Sequence, residues 1–195
     1  EHADTFQRLE TAAQQIESQM KDLTDYAHLD SGMMELRIVP FDAQKLIAET
    51  ANEIATLTRK EQVKLSCEVE CSHLLVHSDP LRIRQIIVNL LTNAYKYTES
   101  GSITLHSCLR RQPGGSSLII EVTDTGIGIE KDQLDQIFKP FTQLDQSHTK
   151  QYAGVGMGLA IVHGLVTLLD GTITVYSEIK KGSTFIVSIP VQISE

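Results

Sequence analysis

The sequence predicts an α/β fold preceded by one long N-terminal helix. Three patterns predict it. Apolar residues recur at helical spacing in Leu46–Leu57 and Ile83–Ala94. Two alternating stretches, Ser102–Arg110 and Ser117–Asp124, flank the turn cluster QPGGS and read as a hairpin. Ahead of both, Phe6, Leu9, Ala13, Ile16, Met20, Leu23 and Ala27 step by three and four residues, the seam of a heptad helix. A chain of 195 residues has room for one substantial domain and a smaller element.

Composition bounds the function. At 41% hydrophobic and 22% charged residues, the chain reads as a soluble globular protein. A net charge of −8 argues against nucleic acid or an anionic membrane as a partner, because counterion release needs a basic face. No apolar run approaches the roughly 20 residues of a membrane-spanning helix. EHADTFQRLE lacks the hydrophobic core of a signal peptide. The chain starts without Met and inside a helical pattern, as a piece of a longer protein would. Three cysteines, Cys67, Cys71 and Cys108, suggest reduced thiols in a cytoplasmic setting. Cys67, Cys71, His73 and His77 loosely imitate metal-ligand spacing. The alternative is that they fall by chance on two short strands, Lys64–Val69 and Leu74–His77, joined by a turn.

The elements follow in order. The heptad helix spans about residues 5–30 and ends at Ser31-Gly32, glycine being a favoured stop. Its seam needs a partner helix, from an upstream segment or a second chain; otherwise it lies on the domain behind it. Met34–Val39 reads as a strand. Asp42 reads as the N-cap of a helix to about Arg59, with Leu46, Ile47, Ala51, Ile54 and Leu57 as its buried stripe. Val63–Val69 and Leu74–His77 are the next strands. Asp79-Pro80 then starts a helix over Leu81–Thr98. After the hairpin come a short helix, Glu130–Ile137, and the segment Phe138-Lys139-Pro140-Phe141. A polar loop, Thr142–Tyr152, follows, and loops of this length are often functional. Gly154-Val155-Gly156-Met157-Gly158 runs into an apolar helix to about Leu169. A hairpin of Thr172–Ser177 and Phe185–Pro190 closes the chain.

Three stretches carry chemistry. In EVTDTGIGI a strand ends on Asp124 and breaks at Gly126 and Gly128. A carboxylate at a sheet rim can accept from an amino group, and the glycines let a flat ligand reach the backbone. Alone, the same pattern is also a tight turn. On the third helix Asn89, Asn93 and Lys96 project from one side. Two asparagines one turn apart oppose helix propensity. They suit a hydrated Mg²⁺ and phosphate oxygens, or simply a solvated face. The glycines before the last helix expose N–H groups at a positive dipole end, a ready phosphate site.

Together, RQIIVNLLTNAYKYT, DTGIG, FKPF, GVGMGLAI and GSTF, in this order, resemble the ATP-binding catalytic domain of two-component sensor histidine kinases. That fold is shared with gyrase, Hsp90 and MutL. The resemblance covers about Phe41–Pro190. It implies a two-layer α/β sandwich, a mixed sheet with helices on one face. It also implies ATP and Mg²⁺ as cofactors. By resemblance, Asp124 accepts from the adenine amino group, and Gly126 and Gly128 form the floor under the base. Asn93 coordinates Mg²⁺ with Asn89 beside it. Lys96 contacts phosphate and Tyr97 lines the nucleotide. Phe138 and Phe141 form the base of a lid over about residues 138–156, although both could equally be core aromatics. Gly154, Gly156 and Gly158 cradle phosphate, and Thr184 lies near adenine. Residues 1–32 resemble the second helix of a dimerisation hairpin, and residues 33–195 form the catalytic domain. The intact protein is then expected to be a homodimer that signals to a response regulator or receiver domain.

The departures set limits. No phosphoacceptor box of His, acid and Pro is found; His2 lacks both companions. The acceptor histidine is expected upstream, so this stretch alone would not autophosphorylate. Val155 replaces the usual Thr or Ser, and Lys150 a frequent arginine, which leaves room for a degenerate module that regulates a partner kinase. The ATPases of this fold carry a glutamate where Asn89 stands. Without that base, phosphoryl transfer is favoured over hydrolysis.

Overall fold

The computed structural model describes residues 2–58, 60–70, 75–142 and 156–194. Helix α1 (His2–Asp30) leads into strand β1 (Val39–Asp42) and helix α2 (Ala43–Leu57). Strands β2 (Val63–Glu70) and β3 (Leu75–Ser78) precede helix α3 (Pro80–Tyr97). A hairpin of β4 (Gly101–Gln112) and β5 (Gly115–Asp124) comes next, then α4 (Gly158–Leu168), β6 (Thr172–Glu178) and β7 (Gly182–Ser194).

The seven strands form one mixed sheet in the order β1-β3-β7-β5-β4-β2, with β6 also on β7. Among the described residues only the β2–β4 pair is parallel. Helices α2, α3 and α4 cover one face. Their buried side chains, among them Ile47, Ile86, Leu90, Leu91, Ile161 and Leu165, meet Ile103, Leu105, Leu118, Ile120, Val187 and Ile189 of the sheet. The expected two-layer sandwich therefore forms. Alternation along β4, β5 and β7 puts every second residue into this layer.

The predicted caps hold. Asp42 accepts from the Lys45 N–H at 2.9 Å. Asp79 accepts from the N–H groups of Leu81 at 3.0 Å and Arg82 at 3.1 Å. Its second oxygen takes the Arg37 N–H at 2.8 Å, which ties the segment before β1 to the start of α3. Gly32, at φ 67°, ends α1.

Three local expectations are corrected. Met34–Val39 is not a strand; pairing begins only at Val39, opposite Ser78 of β3. Glu130–Ile137 is not a helix but a 3-10 turn at Lys131–Gln133 followed by isolated turn bonds. Glu130 makes no side-chain cap, a helix this short is marginal, and Pro140 biases Lys139 away from helix. The closing strand is longer than predicted and runs through Pro190. Proline is tolerated because β6 pairs only to Ser188 and β3 only from Gln192, so no neighbour on that side awaits its missing N–H.

The cysteine–histidine cluster also dissolves. Cys67 on β2 and His77 on β3 lie at opposite parts of the sheet, four strand steps and roughly 19 Å apart. Cys71 and His73 lie outside the described residues. His77 instead meets the Ser194 hydroxyl. Among the described residues no helix is long and apolar enough to cross a membrane.

Candidate functional site

Helix α3 carries the site. Ile83, Ile86, Ile87, Leu90, Leu91 and Ala94 are buried against the sheet, which turns Asn89, Asn93 and Lys96 to the flank. Asn89 donates its amide to the Gln85 carbonyl at 3.0 Å. Its oxygen is turned toward α4: a Cβ added to Gly158 would stand 3.1 Å from Asn89 Oδ1 and 3.7 Å from Asn93 Nδ2. The two asparagines thus face the N-terminus of α4, and only glycine leaves the space between them open. Gly156 (φ 75°) packs on the main chain of Phe141 and Thr142, where a Cβ would be 2.6 Å from the Thr142 carbonyl oxygen. Gly154 and Val155, like Lys150, lie outside the described residues.

At the C-terminal end of α3 sits the Asp124 turn. Asp124 ends β5 with only 6% of its surface exposed. Its carboxylate accepts from the Gly126 N–H at 2.8 Å and from the Ser183 N–H. Burial raises its pKa above the ordinary carboxylate value, and the two N–H groups offset part of that rise. The turn is sewn to α3, because the Ile127 N–H donates to the Tyr97 carbonyl at 3.2 Å. It is also sewn to the β6–β7 hairpin, because the Lys180 N–H donates to the Ile127 carbonyl at 2.8 Å.

The glycines have an internal reason beyond ligand approach. A Cβ on Gly126 would fall 2.4 Å from the Tyr97 carbonyl oxygen. On Gly128, at φ 73°, it would fall 2.1 Å from that of Glu178. At the close of α3, beside the Asp124 turn, Lys96 and Tyr97 are half-buried, with the ammonium 5.2 Å from the Tyr97 ring centroid. From Asn89 to Tyr97 the helix rises about 12 Å. An acceptor suited to a base therefore stands at the C-terminal end of α3, and amides beside a helix N-terminus stand at its middle.

Not every expected residue joins the site. Thr184 pairs with Thr123, their hydroxyls 3.0 Å apart, on the sheet face opposite Asp124. A period of two decides this: Ser183, one residue earlier, is the neighbour of Asp124. Within GSTF it is Ser183, not Thr184, that neighbours Asp124. Phe138 is half-buried against α4, its ring 5.6 Å from that of His163. It lines a 360 Å³ groove with Tyr26, Leu29 and Met34, away from Asp124. Phe141 is 58% exposed at φ 61° and contributes its backbone, not its ring, to the packing beside Gly156.

Sequence reasoning missed two further contributors. Lys60 donates to the Tyr95 and Thr98 carbonyls and so caps the C-terminus of α3. Ser177 bonds the turn after Asp124. Both pairings link positions far apart in sequence, so no local pattern carried them.

Residues 78–193, more than half of the chain, match the family described as histidine kinase-, DNA gyrase B-, and HSP90-like ATPase. The chain belongs to this family, and within it to the ATP-binding catalytic domains of sensor histidine kinases. It is 38% identical to the sensor histidine kinase AtsR of Burkholderia thailandensis, over 97% of this chain and 31% of that protein. It is 37% identical to the circadian input-output histidine kinase CikA of Synechococcus elongatus, over 89% of this chain and 23% of that protein. The crystal structure of full-length ShkA in complex with AMPPNP superposes with a TM-score of 0.84 at 27% identity, over 98% of this chain and 39% of that one. The chain thus spans less than a third of these curated relatives.

Proposed function

We propose that this domain, in its intact protein, binds ATP with Mg²⁺ and delivers the γ-phosphoryl group to a histidine on a dimerisation helix pair. Two-component signalling from a cytoplasmic position, to a response regulator or receiver domain, follows from that reading. One observation carries it: the buried Asp124 carboxylate beside the C-terminus of α3 and the Asn89–Asn93–Gly158 cluster at its middle lie along one flank of a single helix.

The residues fit the nucleotide. Asp124 keeps acceptor capacity for an amino group after its two backbone bonds. The opening at Gly158, which a Cβ would fill, leaves the α4 N–H groups beside the asparagine amides. Asn93 would hold Mg²⁺ with Asn89 alongside, in keeping with that ion's preference for oxygen donors. When bound, Mg²⁺ neutralises charge on the phosphates. Lys96 adds a second positive charge on the same flank. Catalysis by these residues is positioning and charge neutralisation. The position that would supply a hydrolytic base holds the amide of Asn89, which favours transfer over hydrolysis.

Residues 1–32 serve in this reading as the second helix of the dimerisation hairpin, and the intact protein as a homodimer. A second reading is a kinase-like module that regulates a partner through α1. The exposed seam of that helix favours it. Calorimetric titration with a non-hydrolysable ATP analogue and Mg²⁺ separates the two. Saturable binding supports the catalytic reading; no heat at millimolar ligand leaves only the interaction module.

A further inference from the structure

The turn that presents Asp124 is anchored by a hydroxyl from another element. Ser177, half-buried at the end of β6, accepts from the Ile129 N–H at 2.8 Å. It donates to the Gly182 carbonyl at 3.0 Å and stands 3.0 Å from the Ser183 hydroxyl. A serine hydroxyl has one donor and two acceptor sites. With Ser183 as donor in the last contact, all three are used.

The partners are the two segments that clamp Asp124. Ile129 closes the turn that follows it. Gly182 and Ser183 open the strand beside it, and Gly182 lies so close that a Cβ there would sit 1.9 Å from the Asp124 carbonyl oxygen. Ser183 also gives its N–H to the carboxylate. Upstream, Thr125 ties the turn to Ser102 of β4 through both its main chain and its hydroxyl, whereas the ties at Ile127, its N–H to Tyr97 and its carbonyl from the Lys180 N–H, are main chain to main chain. Ser177 is the side chain that joins the downstream end of the turn to β7.

We propose that Ser177 is a positioning residue for base recognition, its hydroxyl holding the turn and β7 in the register that aims Asp124 at the 6-amino group of adenine. This rests on the adenine reading of Asp124. Without the hydroxyl, the Ile129 N–H and the Gly182 carbonyl lose a shared partner. The carboxylate then drifts relative to the base while the sheet and the Asn89–Gly158 cluster stay in place.

The test uses the full chain and two probes, AMPPNP and a purine ribonucleoside triphosphate that lacks the 6-amino group. The unsubstituted protein binds AMPPNP more tightly. Ser177→Ala lowers AMPPNP affinity about tenfold, the worth of one hydrogen bond, while affinity for the purine probe changes less than twofold. Ser177→Thr keeps the hydroxyl and restores the ratio. Ser177→Cys, a weak acceptor of similar size, gives an intermediate ratio and serves should the alanine variant not fold. A ratio unchanged in both the alanine and cysteine variants overturns the proposal, and so does an equal loss for both probes. If the unsubstituted protein does not discriminate between the probes, the adenine reading of Asp124 is what fails.

Discussion

The Asp124 turn and helix α1 are held in opposite ways. In the turn, three main-chain N–H groups within four residues have partners on α3, β6 or Asp124 itself, and both glycines press on carbonyl oxygens. A buried carboxylate sits inside this frame. Among the described residues, helix α1 touches the domain near its end. Asp25 accepts from the Gln85 amide at 2.8 Å, and Leu29 packs on Gly164 of α4. Its apolar seam faces outward, with Phe6 72% and Ile16 61% exposed. The turn is thus complete within this chain, whereas the seam buries nothing here. The difference teaches that glycine and carboxylate spacing can report an internal frame, while a heptad spacing can run along a face that the described residues leave exposed.

The sharpest way to break the comparison is at Asp124. Asp124→Asn should lower ATP affinity by at least about 100-fold, since it replaces a charged acceptor by a neutral amide in a buried setting. The circular dichroism spectrum should not change. Titration calorimetry checks the first and thermal melting the second; retained affinity would remove Asp124 from base recognition.

Next in size is the frame itself. Gly126→Ala should destabilise the domain by about 2–3 kcal/mol, because its Cβ meets a helix-terminal carbonyl that cannot move away cheaply. Urea denaturation reads this directly. A loss below about 0.5 kcal/mol would mean that the turn is looser than its bonds suggest.

Acidity probes the same carboxylate. In the proposed role Asp124 accepts from an amino group more strongly when ionised, and burial raises its pKa. As pH falls, affinity for ATP should therefore begin to drop above the ordinary carboxylate value of about 4. The sign for the free fold is the reverse. The buried ionised form is disfavoured, so protonation of this one group adds stability as pH falls through the raised value. Titrations between pH 4 and 7, paired with melting curves, should show the two trends diverge. Asp124→Asn should abolish both.

The smallest effect belongs to α1. Replacing Ile16 and Met20 by serine should change the stability of the isolated chain by less than about 0.5 kcal/mol, because both are exposed. Self-association at high concentration should weaken in sedimentation equilibrium. A large loss of stability would show instead that the seam is buried in solution.

Much of this molecule was legible locally. The caps at Asp42 and Asp79 rest on short-range bonds, so residue identity and spacing announce them. The α3 stripe and the β4–β5 hairpin follow from their periods. Asp124, Asn89, Asn93 and the glycines were likewise visible, since each lies in a compact pattern. The failures share one cause. Glu130–Ile137 had helical composition but neither a cap nor length, and Thr184 had the right motif but the wrong face of its strand. The strands Val63–Glu70 and Leu75–Ser78 are neighbours in sequence, yet they stand four strands apart in the sheet.

By itself, the sequence determined most of the elements, their caps and the residue types of the candidate site, because these depend on contacts a few residues long. Tertiary structure alone decided that Ser183 rather than Thr184 meets Asp124, that Lys60 closes α3, and that Ser177 ties the turn to β7. Those choices depend on strand register and on hydrogen bonds spanning tens of residues, where the hydrophobic pattern of a segment says which face is buried but not which partner it meets.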